Sequence, residues 1–414
     1  MHKLARLSTV FATIAIGTGA LTARAWNDAP PANSLADSVT VIHAATMYDG
    51  RGAIQRNVWV VVRNNKIDRI SATAIKLANS TAIELGSATL MPGLIDAHTH
   101  PGWYVDKQGK RNSQRSGDSP AQAALARAGN LYATLMAGFT TIQSVGGAED
   151  LDLRDATARG LIPGPRILTS ITQMSNARTP ADSLRLQVRQ LKSQGADLIK
   201  LFASSGLGSG GAQTLSDEQI AAICGEAKTQ GLRTVVHAIS AASVRASVIG
   251  GCTQIEHGVF VTDAELKLMA ERGTIFDPQV CLVFQNYVDH PDAYSFTDST
   301  LAPLKAALPT AAEMFGRAIK TPGLKIVFGT DAVALAHGHN ADELVCRVKA
   351  GQSPMAAIIS ATSAGATAIG LGEKIGTIAA GYEADLVAVD GDPARDMNVM
   401  KHMVFVMRGG VRFK

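Results

Sequence analysis

Two histidines one residue apart close the apolar run Leu94-Ile-Asp-Ala-His-Thr-His100. In a strand, side chains at i and i+2 point the same way, roughly 6.6 Å apart along the chain, so His98 and His100 can converge on one metal ion. Four further candidates each sit towards the end of an apolar, β-branched run: Lys200 in DLIKLF, His237 in TVVHA, His257 in QIEHG and Asp331 in KIVFGTD. Parallel βα folds carry their chemistry at the carboxyl ends of strands, where these residues recur. Imidazole nitrogens from His98 and His100 with a carboxylate oxygen from Asp331 suit zinc or a similar divalent ion, and His237 and His257 are natural ligands of a second.

Lys200 is the odd member, because an ammonium beside two dications is electrostatically untenable. After reaction with carbon dioxide it becomes N6-carboxylated lysine, an anion whose two oxygens can bridge both ions. Two dications against the carbamate, Asp331 and a bridging hydroxide leave about one net positive charge at the centre. Such a centre makes hydroxide available near neutral pH and polarises a carbonyl. Asp331 would hold the hydroxide, take its proton on attack and deliver it to the leaving nitrogen.

The elements that must position these groups follow from hydrophobic period. Short alternating runs over residues 38–90, with Asn64-Asn65 as a tight turn, read as sheet, and the same texture returns over 373–414. The two ends are expected to pair into one small β-sandwich. Between them, over 91–372, strands alternate with helices, as in the capping boxes Ser216–Gln219 and Thr262–Glu265 and the stop at Gly273. Eight such units make an α/β fold of the closed (β/α)8 TIM-like type, with an open doubly wound sheet as the alternative. Asp277, before a proline at the end of the seventh strand, reads as structural. Gly206-Leu-Gly-Ser-Gly-Gly211 matches the dinucleotide pattern GxGxxG, but the next strand ends in His237 instead of an acidic residue, so these glycines are expected to form a mobile loop over the metal site.

Composition narrows the class of function. At 414 residues and 46% hydrophobic content, the chain can bury one large core and a smaller accessory domain, while its net charge of +4 carries no basic stripe of the kind nucleic acid requires. The basic start, the apolar stretch Leu7–Leu21 and Ala23-Arg24-Ala25 have the order of a secretory signal peptide over 1–25, with cleavage after Ala25. A secreted or periplasmic protein without stable membrane insertion is expected. Cys224, Cys252, Cys281 and Cys346 lack ligand spacing and are read as buried free thiols.

The motifs MPGLIDAHTH (91–100), AGFTTIQSVG (137–146), ARGLIPGPRI (158–167), GADLIKLFASSG (195–206), VVHAIS (235–240), IEHG (255–258), FGTDAV (328–333) and GTIAAGYEADLVAVDGDP (376–393) together resemble the amidohydrolase superfamily. Within it they are similar to the imidazolonepropionase-related group of prolidase-like dipeptidases, carboxypeptidases and ochratoxin-type amidases. The resemblance implies His98, His100, Lys200 and Asp331 as ligands of a buried metal, and Lys200, His237 and His257 as ligands of a second. It implies a small-molecule substrate, a dipeptide or N-acyl amino acid, cut at the amide beside its C-terminal residue. A lactonase, a urea or carbamate hydrolase or an arylamidase on the same core is the alternative, and a metal-free binding scaffold the third reading. Many relatives carry a longer Gly/His-rich loop where this chain has Ile171–Asp182, which bears on substrate identity. His337 and His339, in the loop after Asp331, and Tyr104, beside Trp103 past the first strand, are the expected substrate contacts. Homo-oligomerisation is left open.

Overall fold

The computed structural model describes residues 38–113 and 115–414. The expected signal peptide, residues 1–25, lies outside the described residues. The first five strands are β1 (Val39–Tyr48), β2 (Ile54–Arg63), β3 (Lys66–Ser71), β4 (Thr81–Glu84) and β5 (Thr89–Pro92). β1 and β2 pair antiparallel, and Asn64 (φ 56°) turns the chain into β3 at the predicted place. The other edge of β1 takes two short parallel strands in succession, β4 from Thr40 and β5 from Thr46.

Eight parallel strands and one short extra strand follow. They are β6 (Leu94–Thr99), β7 (Phe139–Ser144), β8 (Arg166–Thr169), the two-residue β9 (Gln173–Met174), β10 (Leu198–Phe202), β11 (Arg233–Ser240), β12 (Gln254–Phe260), β13 (Ile275–Asp277) and β14 (Lys325–Ile326). Helices α1 (Pro120–Met136), α2 (Asp150–Ala158), α3 (Ala181–Ser193), α4 (Asp217–Thr229), α5 (Ala241–Ile249) and α6 (Asp263–Arg272) alternate with them. Then come α7 (Leu282–Asp289), α8 (Pro291–Tyr294), α9 (Asp298–Ala318), α10 (Ala341–Lys349), α11 (Pro354–Ser360) and α12 (Ser363–Ala368). Both predicted capping boxes form, on α4 and α6, and Gly273 ends α6 in the left-handed region at φ 69°.

β6 and β7 are buried along their whole length, as parallel strands covered on both faces must be. The ladders form two sheets, β6-β7-β8 and β14-β13-β12-β11-β10-β9, not one uninterrupted ring. Single hydrogen bonds link their edges: Asp197 N donates to Thr169 O (2.9 Å), and Ala97 N, Asp331 N and His100 N donate to Phe328 O, His98 O and Ala332 O at 2.9, 2.8 and 2.8 Å. The second junction is tight. A Cβ on Gly329 would stand 1.9 Å from Asp277 Oδ2 and 2.9 Å from His98 Cβ, so only glycine lets this segment reach β6.

The chain ends in β15 (Leu386–Val389), β16 (Met403–Arg408) and β17 (Val411–Arg412). β15 pairs antiparallel with β5, so strands from both ends share one sheet in the order β17-β16-β15-β5-β1-β2-β3, with β4 on β1. This is one branched eight-stranded sheet, whereas the sequence led us to expect two stacked ones. Ile42, Val60, Leu90, Leu386 and Phe405 form its core.

The cysteines correct a second expectation. None is free: Cys224 of α4 pairs with Cys252 before β12, and Cys281 before α7 pairs with Cys346 of α10. Partners 28 and 65 residues apart meet only because adjacent βα units pack side by side. Among the described residues no helix is long and apolar enough to cross a membrane.

Candidate metal centre

Strand pairing brings the six sequence-predicted donors to one end of the parallel strands. Phe202 on β10 is level with His237 on β11, and Ala238 is level with His257 on β12. The bridge between Thr99 and Ala332 sets Asp331 beside the paired histidines of β6. Lys200 Nζ lies 3.2 Å from His98 Nε2, and Asp331 Oδ1 lies 3.5 Å from His98 Nε2 and 3.1 Å from His100 Nε2. The His98 ring is centred 5.3 Å from that of His257, and His237 is 4.6 Å from His257. Donor atoms of His98, His257 and Asp331 all fall within 4.8 Å of one another.

Two of the six sit on backbone that side-chain-bearing residues avoid. His257 has φ 68° and Asp331 φ 53°, each costing on the order of 1–3 kcal/mol. The surroundings hold both: Gln279 Oε1 accepts from His257 N (3.1 Å), and His98 O accepts from Asp331 N. Asp96, one turn of the strand before His98, accepts from Thr330 Oγ1 (2.6 Å), Asn340 Nδ2 (2.7 Å), Thr330 N and His98 N, which locks β6 to the loop carrying Asp331.

The electrostatics favour cation binding. Burial, then the positive charge of Lys200, pushes His98 well below the ordinary imidazole range; burial and the same charge bring His237 to about 4; burial and the neighbouring rings depress His257. Neutral rings are what a metal ligand requires. Lys200 is 1% exposed, and burial lowers its amine against the pull of Glu256, Asp331 and Asp277. Among the described residues no carboxylate stands within 4 Å of it. Burial works to raise Asp331, but the charge of His98, the hydrogen bond from His100 and the charge of Lys200 outweigh it and hold the carboxyl at about 2. His100 Nδ1 and His257 Nδ1 are buried without a partner. The donor set of four imidazoles, one carboxylate and a convertible amine therefore fits a divalent pair.

Sequence reasoning missed a layer behind this cluster. Glu256 Oε2 is 2.6 Å from His98 Nδ1, in contact though the ring N–H is not aligned on it. Burial pushes Glu256 up to about 7 and Asp277 well above the carboxylate range, each raised further by a neighbouring carboxylate. An acidic residue buried in the middle of β12, directly before His257, was the available signal.

A chamber of about 290 Å³ opens onto His237, His257 and Asp331. Leu207, Ile239, Phe284, Phe296 and Leu304 make it apolar, and Gly206–Ser209 form one wall, so the GxGxxG look-alike borders the centre as expected. A larger cleft of about 490 Å³ lies by Arg166 and Arg408, whose guanidiniums are already engaged by Asp385 and by the carbonyls of Gly164 and Thr157.

The three expected substrate contacts do not line the chamber. Tyr104 is buried with Arg127 over its ring and its hydroxyl towards Asp118, because it points opposite to Trp103, which stacks on His100 at 4.9 Å. His337 is buried against the backbone of Trp103 and His100, and burial takes it to about 4. His339 is exposed on the surface, 3.7 Å from Asp342.

Comparison with known proteins agrees with this geometry. Ochratoxinase of Aspergillus niger is 26% identical over 429 residues, covering 91% of this chain and 87% of its own. A solved Xaa-Pro dipeptidase with methionine bound in its active site superposes with a TM-score of 0.83 at 28% identity, covering 91% of this chain and 100% of that one. A solved prolidase in complex with N-methylphosphonate-L-proline gives 0.80 at 26% identity, covering 91% and 100%. Residues 89–412 match the model of the amidohydrolase family; the chain belongs to that family and is a hydrolase of amide or peptide bonds.

Proposed function

We propose that the protein is a binuclear metal-dependent hydrolase that cleaves an amide bond next to a C-terminal amino acid, in a closed (β/α)8 barrel over 91–372 flanked by the β-sheet domain that 38–90 and 373–414 build together. The observation that carries this is the Lys200 amine, buried with no carboxylate of the described residues within 4 Å and 3.2 Å from His98 Nε2, inside a ring of four imidazoles. His98, His100 and Asp331 would hold one ion, His237 and His257 the other, and Lys200 both. Zinc is the fitting metal for such nitrogen-rich ligation. When bound, the ions supply carbonyl polarisation and a water that ionises near neutral pH.

Lys200 serves as the carbamate. Its buried, pKa-lowered ammonium first gives up a proton; the neutral amine then adds to carbon dioxide, forming a C–N bond and releasing a second proton, so that two protons leave and a cation is replaced by an anion. That replacement removes one of the charges holding Asp331 near 2 and raises its affinity for a proton. Asp331 Oδ1 then accepts the proton of the attacking water and passes it to the departing nitrogen. Similarity to the solved dipeptidase and prolidase supports a peptide-like substrate, and similarity to ochratoxinase an amide. The aromatic chamber walls favour an arylamide as the second reading. Two disulfides suit an oxidising compartment, which supports export after cleavage near Ala25.

The test is hydrolysis of a dipeptide and N-acyl amino acid library by metal-reconstituted protein, with metal content measured in parallel. Two ions per chain and release of the C-terminal amino acid are expected. A stoichiometry of one with full turnover would overturn the two-metal reading, and turnover of lactones alone would overturn the amide.

A further inference from the structure

The two disulfides stand in different surroundings. Cys224 and Cys252 are 1% and 3% exposed and belong to the main apolar core of the barrel. Cys281 and Cys346 are only half-buried, and both line a cleft of about 330 Å³ together with Leu335, His339 and Lys349. A small dissolved molecule can therefore reach the second sulfur pair and not the first.

The reachable pair is also the one joined to the metal centre. Two residues before Cys281, Gln279 Oε1 accepts from His257 N at 3.1 Å. Directly after Cys281 comes α7, whose Phe284 and Tyr287 line the chamber beside His237, His257 and Asp331. Cys346 lies on α10 between Arg347 and Glu343, and the Glu343 carboxylate accepts from Val280 N, Cys281 N and Leu282 N. The start of α7 is thus held to α10 by one covalent tie and by backbone caps. A pair of thiols needs more room than the bond it replaces, so in a close-packed seam cutting the tie pushes α7 off α10 and lets water compete for those caps.

We infer that Cys281–Cys346 is a site of thiol–disulfide exchange for a small-molecule thiol, and that its reduction loosens the α7 wall of the chamber while Cys224–Cys252 stays intact. A thiolate of the reductant attacks one sulfur, the S–S bond breaks and a mixed disulfide forms. A second reductant thiol then displaces the cysteine, so two electrons and two protons pass to Cys281 and Cys346 and the reductant leaves as its own disulfide. Lys349, three residues after Cys346 on α10, puts a cation on the same helix face, which favours departure of a thiolate there. The loosening of α7 is independent of the hydrolase reading above; only its effect on turnover rests on that reading.

The experiment incubates metal-loaded protein with reduced glutathione under native conditions, alkylates the thiols released and follows each labelled peptide by mass spectrometry. Cys281 and Cys346 are expected to label about tenfold faster than Cys224 and Cys252, or more, because exchange requires access to a sulfur. Equal rates, or earlier labelling of the buried pair, overturn the site. In the reduced protein and in Cys281→Ser/Cys346→Ser, amide hydrogen exchange over 279–289 is expected to quicken about tenfold, and oxidised glutathione should restore the slow rate in the former. Unchanged exchange in fully reduced wild type overturns the coupling to α7. With N-benzoyl-L-phenylalanine as substrate, reduction is expected to lower kcat/KM about fivefold, mostly through KM, since a wall moves while the metal ligands stay. Turnover unaffected by complete reduction overturns the coupling to the chamber. If neither form hydrolyses an N-acyl amino acid, the amide reading itself fails, and labelling and amide exchange decide the exchange site and its hold on α7.

Discussion

Two buried polar clusters lie back to back in this protein, and they treat charge in opposite ways. In the one behind the centre, Arg347 is fully buried and every arm is engaged: Nε to Glu343 Oε1 (3.2 Å), Nη1 to Val327 O (2.6 Å), Nη2 to Asp277 Oδ1 (3.1 Å) and to Pro278 O. Glu343 in turn caps three successive backbone donors, Val280 N, Cys281 N and Leu282 N, at 2.7–3.0 Å. In the other, among the described residues, Lys200 has no carboxylate within 4 Å, ring nitrogens of His100 and His257 have no partner, and His257 and Asp331 occupy costly backbone. The saturated cluster holds α7, α10 and the last parallel strands together. The unsaturated one keeps donors free for a ligand, and Glu256 and Asp277, both raised by burial, form the wall between them.

Removing one member from each cluster separates these roles most sharply. Lys200→Ala should reduce turnover by about 10³-fold or more, since it deletes the shared ligand, yet leave the melting temperature equal or higher because an unpaired buried amine is gone. Full turnover in that variant would sink the two-metal reading. Arg347→Met should do the reverse kind of damage, costing about 3–5 kcal/mol in denaturant unfolding by stranding Glu343 and Asp277. A loss below about 1 kcal/mol would show that the cluster is not the clamp described.

The same contrast explains what could be read before the fold was known. His98 and His100 were legible because strand alternation alone puts them on one side, and Lys200, His237, His257 and Asp331 because each ends an apolar run. The caps of α4 and α6 were legible because their partners are three residues apart. The disulfides were not, since Cys281 and Cys346 meet only through the packing of α7 on α10. Nor was the branching of the terminal sheet, which depends on β4 and β5 sharing one edge of β1. Side-chain direction in loops failed too: Trp103 reaches His100 while Tyr104 turns away, and His337 is buried while His339 is exposed.

The shared wall gives a smaller and more diagnostic effect. Glu256 touches His98 Nδ1 at 2.6 Å, so it sets which ring nitrogen is free to face Lys200 and Asp331. Glu256→Gln should weaken metal affinity about 10–100-fold, measured by competition with a chelator, while unfolding free energy changes little because the amide fills the same space. Unchanged affinity would assign Glu256 to the saturated cluster.

The finest division is between two histidines separated by one glycine. His337 packs beneath His100 and Trp103, so His337→Ala should cost about 1–3 kcal/mol of stability and disturb the stack of Trp103 on His100. His339 is exposed beside Asp342, and His339→Ala should stay within about 0.5 kcal/mol and leave kcat/KM within about twofold. If His339→Ala instead lowered kcat/KM tenfold with stability intact, the loop after Asp331 would have to fold over the chamber during turnover, and the boundary drawn here between the centre and its surroundings would move outward to include it.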